Sequence, residues 1–171
     1  MTRYAIKNFM DTHDRLADSP DREMRFLRDE LQSTQLGVSF ARLAPSFRSS
    51  MGHHHREQEE AYVVVEGSGR VKLDDEIHDV RQWDVVRVAP EVVRAFEAGP
   101  DGLLLIAVGG PKPEGGDGVR DEDFWPLDWT RRRPAARDSK RRVTNMKRLI
   151  YERATHAPDD GRKDPGPGFR T

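Results

Sequence analysis

The amino-acid sequence predicts an all-β domain, an antiparallel sandwich or barrel, that is followed by a basic extension. Up to residue 110, apolar side chains recur mostly at every second position, which is the period of a β-strand. The predicted strands are short, rich in β-branched or aromatic residues, and spaced at about 8 to 12 residues, as in all-β folds. They cover residues 36–44, 61–67, 70–77, 84–90, 94–98 and 102–110. Clusters of Gly, Pro and Asp lie between them and indicate turns.

Composition limits the size and the chemistry of this domain. A chain of 171 residues is long enough for one domain of ordinary size with additional tails. It contains no cysteine, which excludes disulfides and thiolate ligands and leaves histidine and carboxylate side chains to bind a metal. It also lacks an apolar run of about 18 residues and a secretory signal, so we expect a cytoplasmic protein without a membrane segment.

The charges divide the chain into two differently built parts. Residues 130–171 contain 13 Lys and Arg against 5 Asp and Glu, a balance of +8. Of the 29 basic and 30 acidic residues of the whole chain, 16 and 25 therefore lie before residue 130, a balance of −9. The basic part lacks interleaved aromatic residues and any nucleic-acid-binding motif, so we expect no nucleic-acid partner.

We predict three segments from these patterns. N-terminal strands or an arm occupy residues 1–35, the barrel occupies 36–117, and an extension occupies 118–171. Within the extension, the aromatic residues at 123–129 are expected to form a strap over the outer face of the barrel or a subunit contact. A basic amphipathic helix is predicted at about 139–154, and the Pro- and Gly-rich C-terminal end is predicted to be disordered.

Three consecutive histidines stand in the stretch GHHHREQEEAYVVVEGSG, and they are the first candidate for a functional site. On a strand, His53 and His55 share one face while His54 points to the other. Such a pair can chelate one ion, with a carboxylate from a neighbouring strand, Glu59 or Glu60, as the third ligand. For Glu60 to share the face of His55, residues 56–59 must turn or bulge.

This stretch resembles the first motif of the cupins, a superfamily of small β-barrels. In that motif His-x-His is followed by a spacer of three or four residues, then Glu, then six residues and Gly. Here four residues separate His55 from Glu60, and six separate Glu60 from Gly67, which selects Glu60 over Glu59. The resemblance implies a cupin-type antiparallel β-barrel, jelly-roll-like, in which His53, His55 and Glu60 are metal ligands.

The stretch QWDVVRVAPEVVRAFEAG, residues 82–99, resembles the second cupin motif, with three departures. In the family a Gly-Asp pair precedes a strand, a Pro-Gly turn follows it, and a late His supplies a fourth metal ligand. Here Trp83 stands in place of the first Gly, Glu91 in place of the turn Gly, and Arg94 in place of the ligand His. Arginine stays protonated and has no lone pair for a metal. The resemblance, which covers about 36–110, therefore leaves three protein ligands.

The identity of the metal and the role of the arginine stay open at this point. Two histidines and one carboxylate suit Fe, Zn, Ni, Mn or Co. Arg94 has two interpretations, either a fork of hydrogen bonds to a small anionic ligand or a salt bridge with Glu60 or Glu66. Tyr62 and Phe96 are expected to point into the barrel, where they fill the core or line a ligand cavity.

These expectations leave two functions open and do not decide whether the protein is an enzyme. The first is a cupin that binds a divalent metal and a small, anionic metabolite in the barrel, with the metal as Lewis acid or oxygen-binding centre. The second is a non-catalytic ligand-binding or sensory barrel without bound metal, since the positive charge of Arg94 opposes a cation. The resemblance also implies a homodimer, and a closed two-fold contact is common among soluble homo-oligomers.

Overall fold

A computed structural model describes residues 3–125 of the chain. Within this range it contains eight β-strands and one short 3₁₀ helix, Phe9–Asp11. The strands are β1 (Arg22–Phe26), β2 (Gly37–Leu43), β3 (Gly52–His55), β4 (Glu60–Leu73), β5 (Glu76–Arg81), β6 (Val85–Val88), β7 (Arg94–Gly109) and β8 (Gly118–Asp121). The prediction of an all-β domain is confirmed.

Strand β7 is the centre of the sheet because it pairs with β2, β3 and β4. The strand order runs β1-β2-β7-β3-β8, and β4 pairs in addition with β5 and β6. All of these pairs are antiparallel. The sheet curls into the predicted antiparallel barrel, and β3 is held between β7 on one side and β8 on the other.

The two longest strands, β4 and β7, continue through glycines at which the sequence predicts breaks. The predicted breaks at 67–69 and 99–102 are wrong, because β4 and β7 run through both. β4 passes its glycines with two register shifts against β7 between residues 64 and 69. A glycine inside a strand often marks such a bulge or a close approach of two backbones. Here the glycines bend the strands without ending them.

Gly67 tolerates a side chain poorly. Its φ is +81°, and a Cβ there would lie 2.1 Å from the carbonyl oxygen of Gly102. We expect Gly67→Ala to lower the free energy of unfolding by about 2–4 kcal/mol, because left-handed strain and backbone overpacking add. Urea denaturation measures this. The matched control is Gly115→Ala, where φ is +80° but nothing lies within 4 Å of the added Cβ. Equal losses in both variants would show that the backbone contact at Gly67 relaxes at no cost.

The inward side chains of the curled sheet form the hydrophobic core. Along β4, Tyr62 and Val64 are buried while Val63 and Val65 are only half-buried, as the strand period requires. The core cluster contains Leu43, Tyr62, Val64, Val71, Val80, Val88, Phe96, Ala98, Leu103, Leu105 and Ala107. Glu60 is the first residue of β4 and has the same parity as Tyr62. The candidate ligands therefore lie at one end of this core.

Two aromatic residues after β8 contact basic side chains of other segments. The Lys72 ammonium lies 3.6 Å from the ring centroid of Phe124, and the Arg48 guanidinium lies 4.7 Å from a ring of Trp125. The strap over residues 123–129 stays a prediction. The remainder of the predicted strap, the basic helix at 139–154 and the C-terminal end lie outside the described residues. Residues 3–125 contain no helix that is long and apolar enough to cross a membrane.

Candidate metal centre

The three histidines of β3 alternate between two faces. The rings of His53 and His55 lie 5.7 Å apart between centroids and are inclined at 86°. His54 instead places its Nδ1 2.8 Å from Oδ2 of Asp121 in β8. The structure therefore brings His53 and His55 together and gives His54 a separate partner, as the strand period predicts.

A turn between β3 and β4 brings a carboxylate to the two imidazoles. β3 ends at His55 and β4 begins at Glu60, so residues 56–59 form the predicted turn. Oε2 of Glu60 lies 3.3 Å from Nε2 of His55 and 3.9 Å from Nε2 of His53. Ligand atoms of all three residues lie within 4.8 Å of one another. Glu59 is exposed and pairs with Arg87, so the choice of Glu60 over Glu59 agrees with the structure.

Arg94, the first residue of β7, enters the same cluster. It lies opposite His53 in the β3–β7 pairing, and its side chain is 0% exposed. Its Nη2 lies 2.5 Å from Oε2 of Glu60, and its Nε donates to the hydroxyl of Tyr62 at 3.1 Å. Its Nη1 donates to the carbonyl oxygens of Pro90 and Val92 at 3.3 and 3.2 Å. Of the two interpretations of Arg94, the structure contains the salt bridge with Glu60.

Glu66, the other acidic partner predicted for Arg94, is exposed to solvent. Tyr62 and Phe96 point into the barrel, are buried, and contact each other with ring centroids 5.0 Å apart. The Tyr62 hydroxyl donates to Oε2 of Glu60 and lies 3.4 Å from Nε2 of His53. Tyr62 thus joins the core to the cluster, and Phe96 packs beside it in the core.

Comparisons with known proteins agree with this architecture. A scan against family models gives no match, and a search of curated proteins gives none either. Among solved structures, a Bacteroides fragilis cupin protein matches with TM-score 0.55 and 22% identity, over 65% of this chain and 86% of that chain. The Streptomyces protein PAC13 with uridine matches with TM-score 0.59 and 15% identity, over 75% of this chain and 98% of that chain. The chain has the cupin fold.

A third match spans only part of a longer protein. A variant of Bacillus subtilis oxalate decarboxylase OxdC matches with TM-score 0.55 and 23% identity, over 88% of this chain and 38% of that chain. Identities this low establish the fold and carry no activity over to this chain. The resemblance predicted from the two motifs is confirmed at the level of the fold.

Hydrogen bonds keep the carboxylate of this centre ionised in spite of its burial. Burial alone raises the pKa of Glu60, but hydrogen bonds from His53, His55, Tyr62 and Arg94 outweigh it and hold that pKa far below its usual range. The pKa of His55 is raised, chiefly by its hydrogen bond to Glu60. Glu60 is therefore a carboxylate and not a carboxylic acid at neutral pH.

Burial and neighbouring groups also shift the pKa values of Tyr62 and Arg94. Burial first, and the charge of Glu60 second, raise the pKa of Tyr62, so its phenol keeps its proton. Burial lowers the pKa of Arg94, but its contacts with Tyr62 and Glu60 outweigh this and raise it. Arg94 is thus a permanent cation beside a permanent anion.

The structure adds one site residue, Asp117, for which the sequence offers no signal. Asp117 is buried, and its Oδ1 lies 2.9 Å from Nδ1 of His55. Its Oδ2 accepts from the backbone N–H groups of Gln58 and Glu57 at 2.8 and 3.2 Å. Burial raises its pKa, but these hydrogen bonds outweigh burial and lower it. It lies 62 positions after His55 in the chain, outside both motifs.

The donor set of this centre fits a divalent cation. Ligand nitrogens and oxygens lie about 2.0–2.2 Å from a Zn²⁺ ion, and side chains already separated by 3.3 and 3.9 Å need only small shifts to share one. A ligating histidine usually donates its other ring N–H to a carboxylate, which is the role that Asp117 offers to His55. Arg94 opposes a cation by charge and pairs with Oε2, the same Glu60 oxygen that faces both imidazoles. A metal would therefore compete with Arg94 for Oε2 or use the second carboxylate oxygen, Oε1.

Proposed function

We propose that this cupin binds a divalent metal ion through His53, His55 and Glu60 and takes a small, anionic metabolite in the barrel. The observation that supports it is the convergence of two imidazoles and one ionised carboxylate within 4.8 Å. Fe, Zn, Ni, Mn and Co all suit this set of donors. When bound, the metal would supply Lewis acidity or an oxygen-binding centre.

Exposure and charge support the anionic ligand. The His53 side chain is 43% exposed, so the centre is open to small molecules on the His53 side. Arg94 adds a buried positive charge next to the centre, and a cationic centre concentrates anions. We further propose that the ligand contacts Arg94, Tyr62 and Phe96. For this contact, Arg94 and Tyr62 would have to give up some of their present hydrogen bonds. The homodimer and the cytoplasmic location stay predictions.

A specific observation favours a second candidate function, a ligand-binding or sensory barrel without metal. The 2.5 Å ion pair between Arg94 and Glu60 already neutralises the carboxylate that a metal would use. Tyr62 donates to the same oxygen. In this alternative the cluster stabilises the barrel, and the ligand binds without metal chemistry.

Metal analysis of untagged protein decides between these functions. We expect about one divalent ion per chain in the wild type and loss of that metal in His53→Ala and in Glu60→Ala, because each removes a donor from a three-ligand site. Inductively coupled plasma mass spectrometry and Co²⁺ titration measure this.

The chain offers a matched control for each of these variants. His54→Ala removes an adjacent histidine that is bonded to Asp121, and Glu59→Ala removes an adjacent glutamate that is paired with Arg87. Both variants should retain the metal. A wild type that is free of metal and does not take up Co²⁺ would overturn the metal-dependent function and leave the second candidate.

A further inference from the structure

Asp117 contacts both halves of the candidate metal centre through different oxygens. One oxygen, Oδ1, holds Nδ1 of His55 at 2.9 Å. The other, Oδ2, accepts from the backbone N–H groups of Gln58 and Glu57. Those two residues belong to the turn that carries the chain from His55 to Glu60. A single buried carboxylate therefore contacts the candidate ligand His55 directly and is linked to Glu60 through the backbone of the turn.

We propose that Asp117 is a positioning residue that sets the orientation of His55 and its spacing from Glu60. This inference rests on the proposed metal-binding function. By occupying Nδ1 of His55, Asp117 leaves Nε2 directed at Glu60, 3.3 Å away. By accepting two turn amides, it fixes where β4 begins. Orientation of a ligand histidine by a carboxylate outside the ligand set is a general feature of metal sites.

The strand that follows Asp117 strengthens this arrangement. β8 pairs with β3 so that Gly118 lies opposite His55. A Cβ on Gly118 would lie 3.6 Å from Cε1 of His55, so the imidazole packs directly beside the glycine backbone. In addition, the backbone N–H of Arg56 donates to the carbonyl oxygen of Asp117 at 3.2 Å. The ring of His55 thus packs against β8, and Asp117, the residue before β8, holds its Nδ1.

Variants of Asp117 and Asp121 separate positioning from general stability. Asp117→Ala removes both contacts, whereas Asp117→Asn keeps a carbonyl oxygen for His55 but replaces the acceptor of the turn amides with a donor. Asp121→Ala is the matched control, because Asp121 holds His54, the histidine between the two ligands, at a similar distance of 2.8 Å. Thermal unfolding of each variant verifies that it is folded.

The first measurement is independent of metal. Hydrogen exchange in the metal-free protein is expected to accelerate at the amides of Glu57 and Gln58 in both Asp117 variants, because their shared acceptor is lost. It should stay unchanged at these amides in Asp121→Ala. Unchanged exchange in Asp117→Ala would overturn the inference, because the turn would then not depend on this carboxylate.

The second measurement is the affinity for Co²⁺ and the visible spectrum of the bound ion. We expect Asp117→Ala to bind Co²⁺ about 10–100-fold more weakly, with an altered spectrum, as when an outer partner of a ligand histidine is lost. The loss should be smaller in Asp117→Asn and absent in Asp121→Ala. If the wild type binds Co²⁺ and Asp117→Ala binds it equally well, only the positioning role is wrong. If the wild type does not bind Co²⁺, the proposed function fails, and the positioning role fails with it.

Discussion

Replacing Arg94 with leucine is expected to destabilise the metal-free protein by about 3–5 kcal/mol, the usual cost of removing one partner from a buried ion pair. Arg94 is 0% exposed, and its Nη2 lies 2.5 Å from the Glu60 carboxylate. Without the guanidinium, that carboxylate stays buried with an uncompensated charge. The Tyr62 hydroxyl and two backbone carbonyls lose hydrogen-bond donors at the same time. Urea denaturation at neutral pH in the presence of a chelator measures the loss.

A second substitution distinguishes loss of the ion pair from loss of packing. Adding Glu60→Gln to Arg94→Leu removes the unpaired charge, so the double variant should recover at least half of the lost stability. The Arg87–Glu59 pair is the matched control, because it joins the same residue types on the exposed outer face. Arg87→Leu should leave the urea midpoint almost unchanged. If Arg94→Leu behaves like Arg87→Leu, the ion pair does not stabilise the barrel.

The sequence was sufficient to predict the part of the centre that depends on strand period and local spacing. His53 and His55 share a face because side chains alternate along β3. The choice of Glu60 over Glu59 comes from the resemblance to the first cupin motif, in which six residues separate the Glu from the Gly, and the structure places Glu60 beside both imidazoles. The period of two thus predicts the pair of imidazoles from one stretch of chain, whereas the choice of the carboxylate depends on the resemblance to the family motif.

Relations between distant segments could not be predicted in this way. Asp117 reaches His55 only because β8 pairs with β3, and no local pattern indicates that pairing. Read locally, the glycines at 67–69 predict the end of a strand. In the folded chain, a Cβ added to Gly67 would lie 2.1 Å from the carbonyl oxygen of Gly102, so these glycines mark a close approach of β4 to β7. Long-range pairing decides both cases.

The partner of Arg94 also depended on packing. The sequence offered both Glu60 and Glu66 as salt-bridge partners, and an anionic ligand as the alternative. The structure buries Arg94 and leaves Glu66 exposed, so Glu60 is the partner within reach. Because one carboxylate then faces two imidazoles and a guanidinium, the proposed affinity for metal would depend on the balance between Arg94 and the ion.

Replacing Arg94 with histidine tests that balance. The variant removes a positive charge beside the ligands and supplies an imidazole at the position where the cupin motif has its fourth ligand. Two unit charges about 4 Å apart interact by about 4 kcal/mol at an effective dielectric constant of 20, so relief of the repulsion alone supports a large gain. We expect Arg94→His to bind Co²⁺ at least about 100-fold more tightly than the wild type, which corresponds to about 2.8 kcal/mol.

Arg94→Gln separates the two contributions, since it removes the same charge without adding an imidazole. A larger gain in Arg94→His than in Arg94→Gln, with a changed Co²⁺ spectrum, would place residue 94 in the coordination sphere. Equal gains would mean that Arg94 acts on the metal by charge alone. If neither variant gains affinity for Co²⁺, the alignment of Arg94 with the fourth ligand is contradicted, even though Arg94 lies opposite His53 in the β3–β7 pairing. The salt bridge to Glu60 would then be a stabilising contact that does not compete with the metal.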